Sequence, residues 1–207
     1  MGPSRISQAL LNRLPGYLDY LKNLPGQDHY ISATTIANAL GLGDVQVRKD
    51  LAAISDAGRR RTGRSRDHLI RDIEAYLGFS SATPTIVVGG SAIGRAFLDY
   101  SGFDASGLKI LACFDRISQA GQSSRGRPVY PMEQMANYCL NHRIRVAILA
   151  VPVEDAQPVC DELVRCGIRG IWNLSPTHIR VPEGIALRNE SFAASASALL
   201  AQMNDPN

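Results

Sequence analysis

Short apolar runs alternate with amphipathic segments along residues 85–174, and this alternation constrains the fold more than any other sequence feature. The runs are nearly continuous in hydrophobic residues and have the length of strands, and the segments between them have helical periodicity. Strands that are apolar on both faces and alternate with helices form a parallel sheet covered on both sides. The predicted strands are 85–88, 108–115, 145–151 and 170–174, and predicted helices include 132–141 and 155–165.

A glycine-rich turn joins the first predicted strand to a helix in the sequence TIVVGGSAIGRAF. Such a turn presents free backbone N–H groups at a helix N-terminus, which favours a bound diphosphate. Aligned on its first and last glycines it reads G-G-S-A-I-G, so a serine replaces the second glycine of GxGxxG and is expected to crowd a diphosphate. The alternative is tight strand–helix packing without a ligand. The predicted Rossmann-like dinucleotide site comprises Gly89, Gly90, Ser91, Ala92, Ile93 and Gly94.

The second predicted strand ends in Asp115, followed by Arg116. An acidic residue at this place can accept a hydrogen bond from an adenosine ribose hydroxyl. An arginine nearby is one way of accommodating a 2′-phosphate. Because the strand end aims Asp115 at the ribose, we expect Asp115 to dominate and predict a preference for NADH over NADPH.

The first 80 residues are predicted to be a helical domain that carries the excess positive charge of the chain. The net charge is +3, with 11 Lys+Arg against 8 Asp+Glu in residues 1–80 and 11 of each in residues 81–207. Residues 6–24 predict an amphipathic helix or a pair of helices, with a new segment starting at Pro15-Gly16. Ser32 is predicted to cap a helix that ends at Gly41, and Asp44 to cap a second one. Two short helices joined by a glycine turn predict a helix-turn-helix.

The second helix of this motif is predicted to expose Gln46, Arg48, Lys49 and Asp50 near the end that enters the major groove. Glutamine and arginine can read base edges, while lysine can hold phosphate. The arginine-rich loop after it resembles the tip of a β-hairpin wing in a minor groove, although a merely solvated loop is the alternative. The residues predicted to bind double-stranded DNA are Ser32, Gln46, Arg48, Lys49, Arg59, Arg60, Arg61 and Arg64.

Catalytic and metal-binding patterns are missing from the sequence. The four histidines are scattered, and the four cysteines form no CxxC pair, so the cysteines are predicted to be buried thiols of the core. No apolar run approaches the roughly 18 residues of a membrane span. The N-terminus lacks the apolar segment of a signal peptide. These features predict a cytoplasmic, non-enzymatic protein without a metal.

These segments, in this order, resemble the Rex family of redox-sensing transcriptional repressors over nearly the whole chain. The most specific stretch is QVRKDL at 46–51, preceded by ANALGL. Further matches are LGF at 77–79, GRAFLDYSGF at 94–103, ACFD at 112–115, VPVEDAQ at 151–157, GIRGIWNLSP at 167–176 and VPE at 181–183.

The resemblance implies a homodimer whose protomers exchange C-terminal helices, with two winged-helix heads on a palindromic operator. It implies NADH as the ligand that releases DNA, with NAD+ permitting binding. It adds Val151, Pro152, Asn173 and Pro176 to the cofactor site. It also implies a switch relay of Arg13, Tyr100 and Ser191. The sequence departs from the family at Ser91, at Arg64 in place of a tyrosine, at Ser191 in place of an aspartate, and just after Arg116.

The predicted domains are a winged helix over 1–80, a Rossmann-like domain over 81–190 and a dimerisation helix over 191–207. That last helix packs either on its own domain or on a partner subunit. Two other functions remain open from the sequence. One is a diverged regulator that responds to another nucleotide or to none. The other is an NAD(P)-dependent oxidoreductase, which would need a general acid that the sequence does not provide.

Overall fold

The computed structural model divides the chain into two compact units, Met1–Ser81 and Ala82–Asn207. It describes residues 7–26, 29–55, 63–79, 82–116, 121–122 and 126–204. The wing-tip residues Arg59, Arg60 and Arg61, predicted to contact DNA, lie outside the described residues. Each unit is considered by itself below.

The described residues of the N-terminal unit form four helices and a two-stranded antiparallel sheet. The apolar faces of the helices meet in one core, in which Leu14, Tyr17, Ile36, Leu51 and Ile73 are fully buried. The second and third helices form the predicted helix-turn-helix. The elements are α1 (Gln8–Asn23), β1 (Tyr30–Ile31), α2 (Ala33–Leu40), α3 (Asp44–Ile54), β2 (Arg64–Ser65) and α4 (Arg66–Leu77).

Both predicted ends of α2 are confirmed. The Ser32 hydroxyl accepts a hydrogen bond from the Thr35 N–H at 3.0 Å, which satisfies one of the free donors at the helix N-terminus. Gly41 ends the helix in the left-handed region with φ 64°, where a side chain would be strained.

Three sequence predictions for this unit are wrong. No new helical segment starts at Pro15, because α1 continues through it as one helix. Pro15 is exposed, and the buried apolar face on either side compensates for the missing backbone hydrogen bond. Gly43, not Asp44, is the N-cap of α3, and Asp44 begins that helix and accepts from the Thr34 hydroxyl at 2.7 Å. Asp50 is only 4% exposed, whereas the sequence predicted it on the surface.

The C-terminal unit contains a seven-stranded sheet in the order β5-β6-β4-β3-β7-β8-β9. All neighbouring pairs are parallel except β5 with β6. Without the short edge strand β5, this is the Rossmann order 3-2-1-4-5-6, which confirms the predicted fold class. The elements are β3 (Thr83–Val88), α5 (Ala92–Asp99), β4 (Leu108–Asp115), β5 (Gly121–Gln122), β6 (Pro128–Pro131), α6 (Met135–His142), β7 (Val146–Leu149), α7 (Val153–Arg165), β8 (Gly170–Asn173), β9 (Ala186–Asn189) and α8 (Phe192–Asn204).

The cysteines lie in the core of this unit as predicted. Cys113, Cys139 and Cys160 are buried, Cys166 is half-buried, and all four are free thiols. Burial raises the pKa of Cys113 and of Cys139 to about 12 and that of Cys160 to about 11, so these thiols stay protonated at neutral pH. Among the described residues, no helix combines the length and apolar character that crossing a membrane requires.

Candidate nucleotide pocket and DNA-binding surface

A cavity of about 420 Å³ lies at the carboxyl ends of β3, β4 and β7. The strand order of the sheet reverses between β3 and β7, and this is where open α/β sheets bind ligands. Ala92, Ile93, Gly94, Asn173 and Pro176 lie outside the lining. The predicted cofactor residues that line the cavity are Gly89, Gly90, Ser91, Asp115, Arg116, Val151 and Pro152.

Close backbone packing fixes the turn at the floor of this pocket. Gly89 has φ 104°, and a Cβ there would lie 2.2 Å from the Ala150 carbonyl oxygen. A Cβ on Gly94 would lie 1.8 Å from the Gly89 carbonyl oxygen. These two glycines are therefore required for strand–helix packing whether or not a ligand binds.

Asp115 contacts the turn directly. Its Oδ2 accepts a hydrogen bond from the Gly90 N–H at 2.6 Å, and a Cβ on Gly90 would lie 2.3 Å from the same oxygen. The absence of a side chain at Gly90 thus brings the end of β4 against the turn. This contact holds the carboxylate at the strand end, where a ribose hydroxyl is bound in this fold.

Ser91 leaves the N-terminus of α5 free. It is the residue before the helix, but its side chain makes no capping hydrogen bond, and its hydroxyl donates instead to the Ala150 carbonyl oxygen at 3.4 Å. Free N–H groups at a helix N-terminus favour an anion. The replaced glycine therefore does not remove the anion-binding capacity of the backbone.

Two arginines and two aspartates supply the charges of the pocket. Arg116 pairs with Asp155, in the first turn of α7, at 2.5 Å. Arg95 Nε donates to the Gly90 carbonyl oxygen at 3.0 Å. Within the described part of the chain, no carboxylate lies within ion-pair distance of Arg95. A half-buried guanidinium without a carboxylate partner favours an anionic ligand.

Sequence reasoning missed Arg95 and Asp155. Arg95 directly follows the last glycine of the turn, one helical turn after Ser91, so its position in the motif was an available signal. The pairing of Asp155 with Arg116 joins residues far apart in sequence, and no local pattern indicates it. The other lining residues that were missed are Phe114, Met132, Ala150 and Val159.

Asn173, predicted to bind cofactor, is fully buried and holds the wall of the pocket in place. Its amide nitrogen donates to the Thr177 carbonyl oxygen at 2.7 Å and to Asn189 Oδ1 at 2.8 Å, and its oxygen accepts from the Ser175 N–H at 3.0 Å. Ser175 in turn accepts from the N–H of Val151, which lines the cavity, at 3.1 Å. Direct contact between Asn173 and a dinucleotide stays a prediction.

The helix-turn-helix presents three of the predicted DNA-binding side chains. Gln46, Arg48 and Lys49 are exposed on α3, and Arg48 pairs with Asp44 at 2.7 Å. Ser32 is engaged as the cap of α2, while Arg64 is half-buried and donates to the Ser55 carbonyl oxygen at 2.8 Å. The exposed end of α3 is thus polar and basic, as a helix that enters the major groove must be.

A buried carboxylate stands behind this surface. Asp50 accepts from Arg13 Nε at 2.7 Å and Nη2 at 3.0 Å, from the Tyr17 hydroxyl at 2.7 Å and from Gln46 Nε2 at 2.7 Å. Burial opposes ionisation of Asp50, but the hydrogen bonds outweigh it and hold the pKa of this carboxyl below its usual value. Burial, with the hydrogen bond to Asp50, raises the pKa of Tyr17 to about 12. The network joins α1 to α3 through an ion pair.

Comparisons with known proteins support both halves of this description. Residues 80–177 match the family model described as CoA binding domain, and residues 5–52 match the one described as putative DNA-binding protein N-terminus. The chain is 32% identical over 203 residues to the redox-sensing transcriptional repressor Rex of Bacteroides fragilis and 34% identical over 202 residues to that of Porphyromonas gingivalis. The alignments cover 97% of this chain and 92% and 93% of those proteins. The chain belongs to the Rex family. The resemblance seen in the sequence motifs is thereby confirmed.

Solved structures of a Rex-family repressor, RSP, share the fold. RSP in complex with β-NAD+ and operator DNA matches with a TM-score of 0.90 at 29% identity, covering 97% of this chain and 94% of that one. RSP in complex with β-NADH matches with a TM-score of 0.85 at 28% identity, covering 97% and 95%.

The three residues that the Rex resemblance assigned to a switch relay have different surroundings. Arg13 is held by Asp50 within the N-terminal unit. In the C-terminal unit, Tyr100 is 56% exposed and packs edge-on against Phe103 at 4.8 Å between ring centroids. Ser191 is exposed and accepts from the Ala194 N–H at 3.1 Å, so it caps α8. A relay among these residues stays a prediction.

Proposed function

We propose that this protein is a transcriptional repressor that binds a palindromic DNA operator and responds to the ratio of NADH to NAD+. The observation that carries the proposal is the pairing, in one Rex-family chain, of a helix-turn-helix with a pocket at the reversal point of a Rossmann sheet. Named repressors align with the chain through both units, and RSP has been solved with NAD+ and operator DNA and with NADH.

The N-terminal unit supplies the DNA contacts. Gln46 and Arg48 reach base edges in the major groove, Lys49 holds a phosphate, and the arginines at 59–61 with Arg64 contact the minor groove. The whole positive excess of the chain lies in this unit, which favours association with the DNA backbone.

The pocket of the C-terminal unit supplies the NAD(H) site. Asp115 accepts from the adenosine ribose, the turn at 89–94 and the N-terminus of α5 face the diphosphate, and Arg95 adds a cation beside them. Bound nicotinamide dinucleotide serves as a signal and not as a hydride source. In its described lining, the pocket holds no histidine, lysine or tyrosine, and its two carboxyl groups, Asp115 and Asp155, are engaged by the Gly90 N–H and by Arg116.

The response requires that the reduced and oxidised dinucleotides differ in affinity for two states of a homodimer. Moving such an equilibrium from 1:99 to 99:1 takes about 5.5 kcal/mol. Two heads on one palindrome must match half-sites about one DNA turn apart, so a modest change in dimer geometry releases the DNA. The protein acts in the cytoplasm, where the chromosome and the dinucleotide pool are both accessible.

The test is DNA binding by the purified full chain in the presence of each nucleotide. The operator is first selected from a random duplex pool and then titrated by fluorescence anisotropy with NADH, NAD+, NADPH or coenzyme A. We expect NADH to weaken the complex at least tenfold and NAD+ to leave it intact. Release by coenzyme A and not by NADH would favour the second candidate function, a regulator that responds to another nucleotide. The match to the CoA-binding family model is the reason for including coenzyme A in the test.

A further inference from the structure

Asp50 leaves the amide of Gln46 only one orientation. A carboxylate has about four lone-pair sites, and the four hydrogen bonds from Arg13, Tyr17 and Gln46 occupy them. An ionised carboxylate can only accept, so the Gln46 atom that faces it at 2.7 Å must be the amide nitrogen. The reversed amide would place two acceptor oxygens against each other.

The opposite side of that amide lies on the exposed surface of the recognition helix. Gln46 is exposed, and none of the described residues donates a hydrogen bond to its Oε1. Asp50 itself is buried, and the Arg13 guanidinium and the Tyr17 hydroxyl fix its carboxylate. The carboxylate therefore cannot move with the Gln46 side chain if that side chain rotates. The acceptor oxygen of Gln46 is thereby directed away from the core before any DNA is bound.

We infer that Asp50 is a positioning residue for base recognition, and that it makes Gln46 read a base that offers an exocyclic amino group in the major groove. Adenine N6 and cytosine N4 are the two donors from which this oxygen can accept, whereas guanine O6 and thymine O4 are acceptors and can pair only with the second N–H of Gln46 Nε2, since the first is given to Asp50. The inference rests on the proposed function, since it adds the class of base to the DNA contacts of α3. It assigns to Asp50 a task beyond joining α1 to α3.

The experiment is operator selection from a random duplex pool with the full chain, followed by affinity measurements on single-base variants of the selected site. Wild type should select adenine or cytosine at one position per half-site, with roughly tenfold discrimination against guanine and thymine. Gln46→Ala should lose discrimination at that position alone. Asp50→Asn, whose amide can present either a donor or an acceptor, should reduce the discrimination to about twofold while Gln46 is still present.

Tyr17→Phe is the matched control, because it removes one hydrogen bond to Asp50 without touching the carboxylate face that holds Gln46. It should lower stability and keep the base preference. The inference is overturned if the position sensitive to Gln46→Ala prefers guanine or thymine, or if Asp50→Asn keeps full discrimination. If the wild-type protein enriches no duplex, the proposed function itself is wrong. That result differs from enrichment of a duplex with the wrong class of base, which contradicts only the inference.

Discussion

Arg95 is the charged side chain of the pocket that the sequence analysis overlooked and that bears most directly on ligand chemistry. Asp115 is engaged by the Gly90 N–H, and Arg116 is engaged by Asp155. Arg95 donates only its Nε, to a neutral carbonyl, among the contacts that the structure describes. Its guanidinium therefore retains donors for a phosphate group at the point where Ser91 replaces the expected glycine.

Arg95→Ala should weaken binding of nucleotides that carry a diphosphate. Loss of charge-assisted hydrogen bonds worth about 1.5–3 kcal/mol predicts a roughly 10- to 100-fold higher Kd for NADH and for ADP-ribose, with adenosine unaffected. Isothermal titration calorimetry measures all three ligands. Arg169→Ala, an exposed arginine of the same unit outside the pocket, is the control and should change nothing. An unchanged Kd for ADP-ribose in Arg95→Ala would exclude a phosphate contact.

Selectivity between NADH and NADPH should depend on Asp155 as well as Asp115. Asp115 repels a 2′-phosphate, and Asp155 occupies the guanidinium of Arg116 that could otherwise hold it. Wild type should prefer NADH, Asp115→Ala should weaken NADH binding roughly tenfold, and Asp155→Asn should raise NADPH affinity relative to NADH roughly tenfold.

Adding Arg116→Ala to Asp155→Asn provides the control, because the gain for NADPH should disappear with the guanidinium. Titration of both nucleotides into the four proteins gives the complete comparison. Equal affinity of wild type for the two nucleotides would contradict the role given to Asp115. A gain that survives Arg116→Ala would contradict the role given to Asp155.

At the scale of elements, the sequence predicted what local patterns control. The ends of α2 followed from Ser32 and Gly41, and the central strands followed from their apolar runs. The sequence did not predict that α1 would continue through Pro15, because burial of the face around it, a tertiary effect, overrides the local preference. Strand β6 and the edge strand β9 were missed, since their sequences PVYP and ALRN have no strong periodicity. Asp50 was misplaced because its partners Arg13 and Tyr17 lie on another helix.

The junction of α1 and α3 should make the N-terminal unit sensitive to acid. The folded-state pKa of Asp50 is lowered, so the ionised carboxylate stabilises the folded state fully above the unfolded-state pKa of about 4. This stabilisation is lost as the pH falls from there through the folded-state pKa. Asp50→Asn should lower the free energy of unfolding by roughly 2 kcal/mol at pH 7. This is less than the roughly 3–5 kcal/mol lost when a fully buried ion pair is broken, because Arg13 is partly exposed. It should also flatten the decline in stability below about pH 4.

Urea unfolding at several pH values measures this, with circular dichroism for both units and fluorescence of the single tryptophan, Trp172, for the C-terminal unit alone. An unfolding transition that appears in circular dichroism but not in the tryptophan fluorescence belongs to the N-terminal unit. Asp19→Asn, on the exposed side of α1, is the control and should retain the acid dependence of wild type. Equal acid sensitivity of Asp50→Asn and wild type would contradict the assignment.

The exposed face of α3 should separate base reading from phosphate binding. Arg48→Ala should reduce the free energy of binding to the selected operator by roughly 1–3 kcal/mol and relax the sequence preference of the protein. For Arg48 to contact a base, its ion pair with Asp44 must first open. Lys49→Ala should weaken all duplexes alike and reduce the slope of log affinity against log salt by about one. Anisotropy titrations over a series of salt concentrations distinguish the two. Full operator affinity in both variants would show that α3 is not the recognition helix.

At the scale of the whole molecule, α8 has an apolar surface that stays exposed among the described residues. Phe192, Leu199, Leu200 and Met203 are 55%, 59%, 57% and 73% exposed, and no side chain of α8, which is described in full, is buried. Such exposure in a helix rich in alanine indicates a surface covered by a second copy of the chain. This supports the partner-subunit alternative for the C-terminal helix and the proposed homodimer.

Replacing Leu199 and Leu200 together by serine should therefore convert the dimer to a monomer. Two heads joined in one dimer bind a palindrome with a high effective concentration for the second half-site, so losing the dimer should weaken operator binding roughly 100- to 10,000-fold. Binding to an isolated half-site, which engages one head, should change little. Sedimentation velocity gives the oligomeric state, and anisotropy gives both DNA affinities.

Gln202→Ser on the same helix is the matched control, since it changes a polar side chain and should leave both the dimer and the operator affinity intact. The same loss of affinity for operator and half-site would indicate damage to the heads and not loss of the dimer. A double variant that remains dimeric at nanomolar concentration would contradict the assignment of α8, because the exposed leucines would then have to serve some other contact.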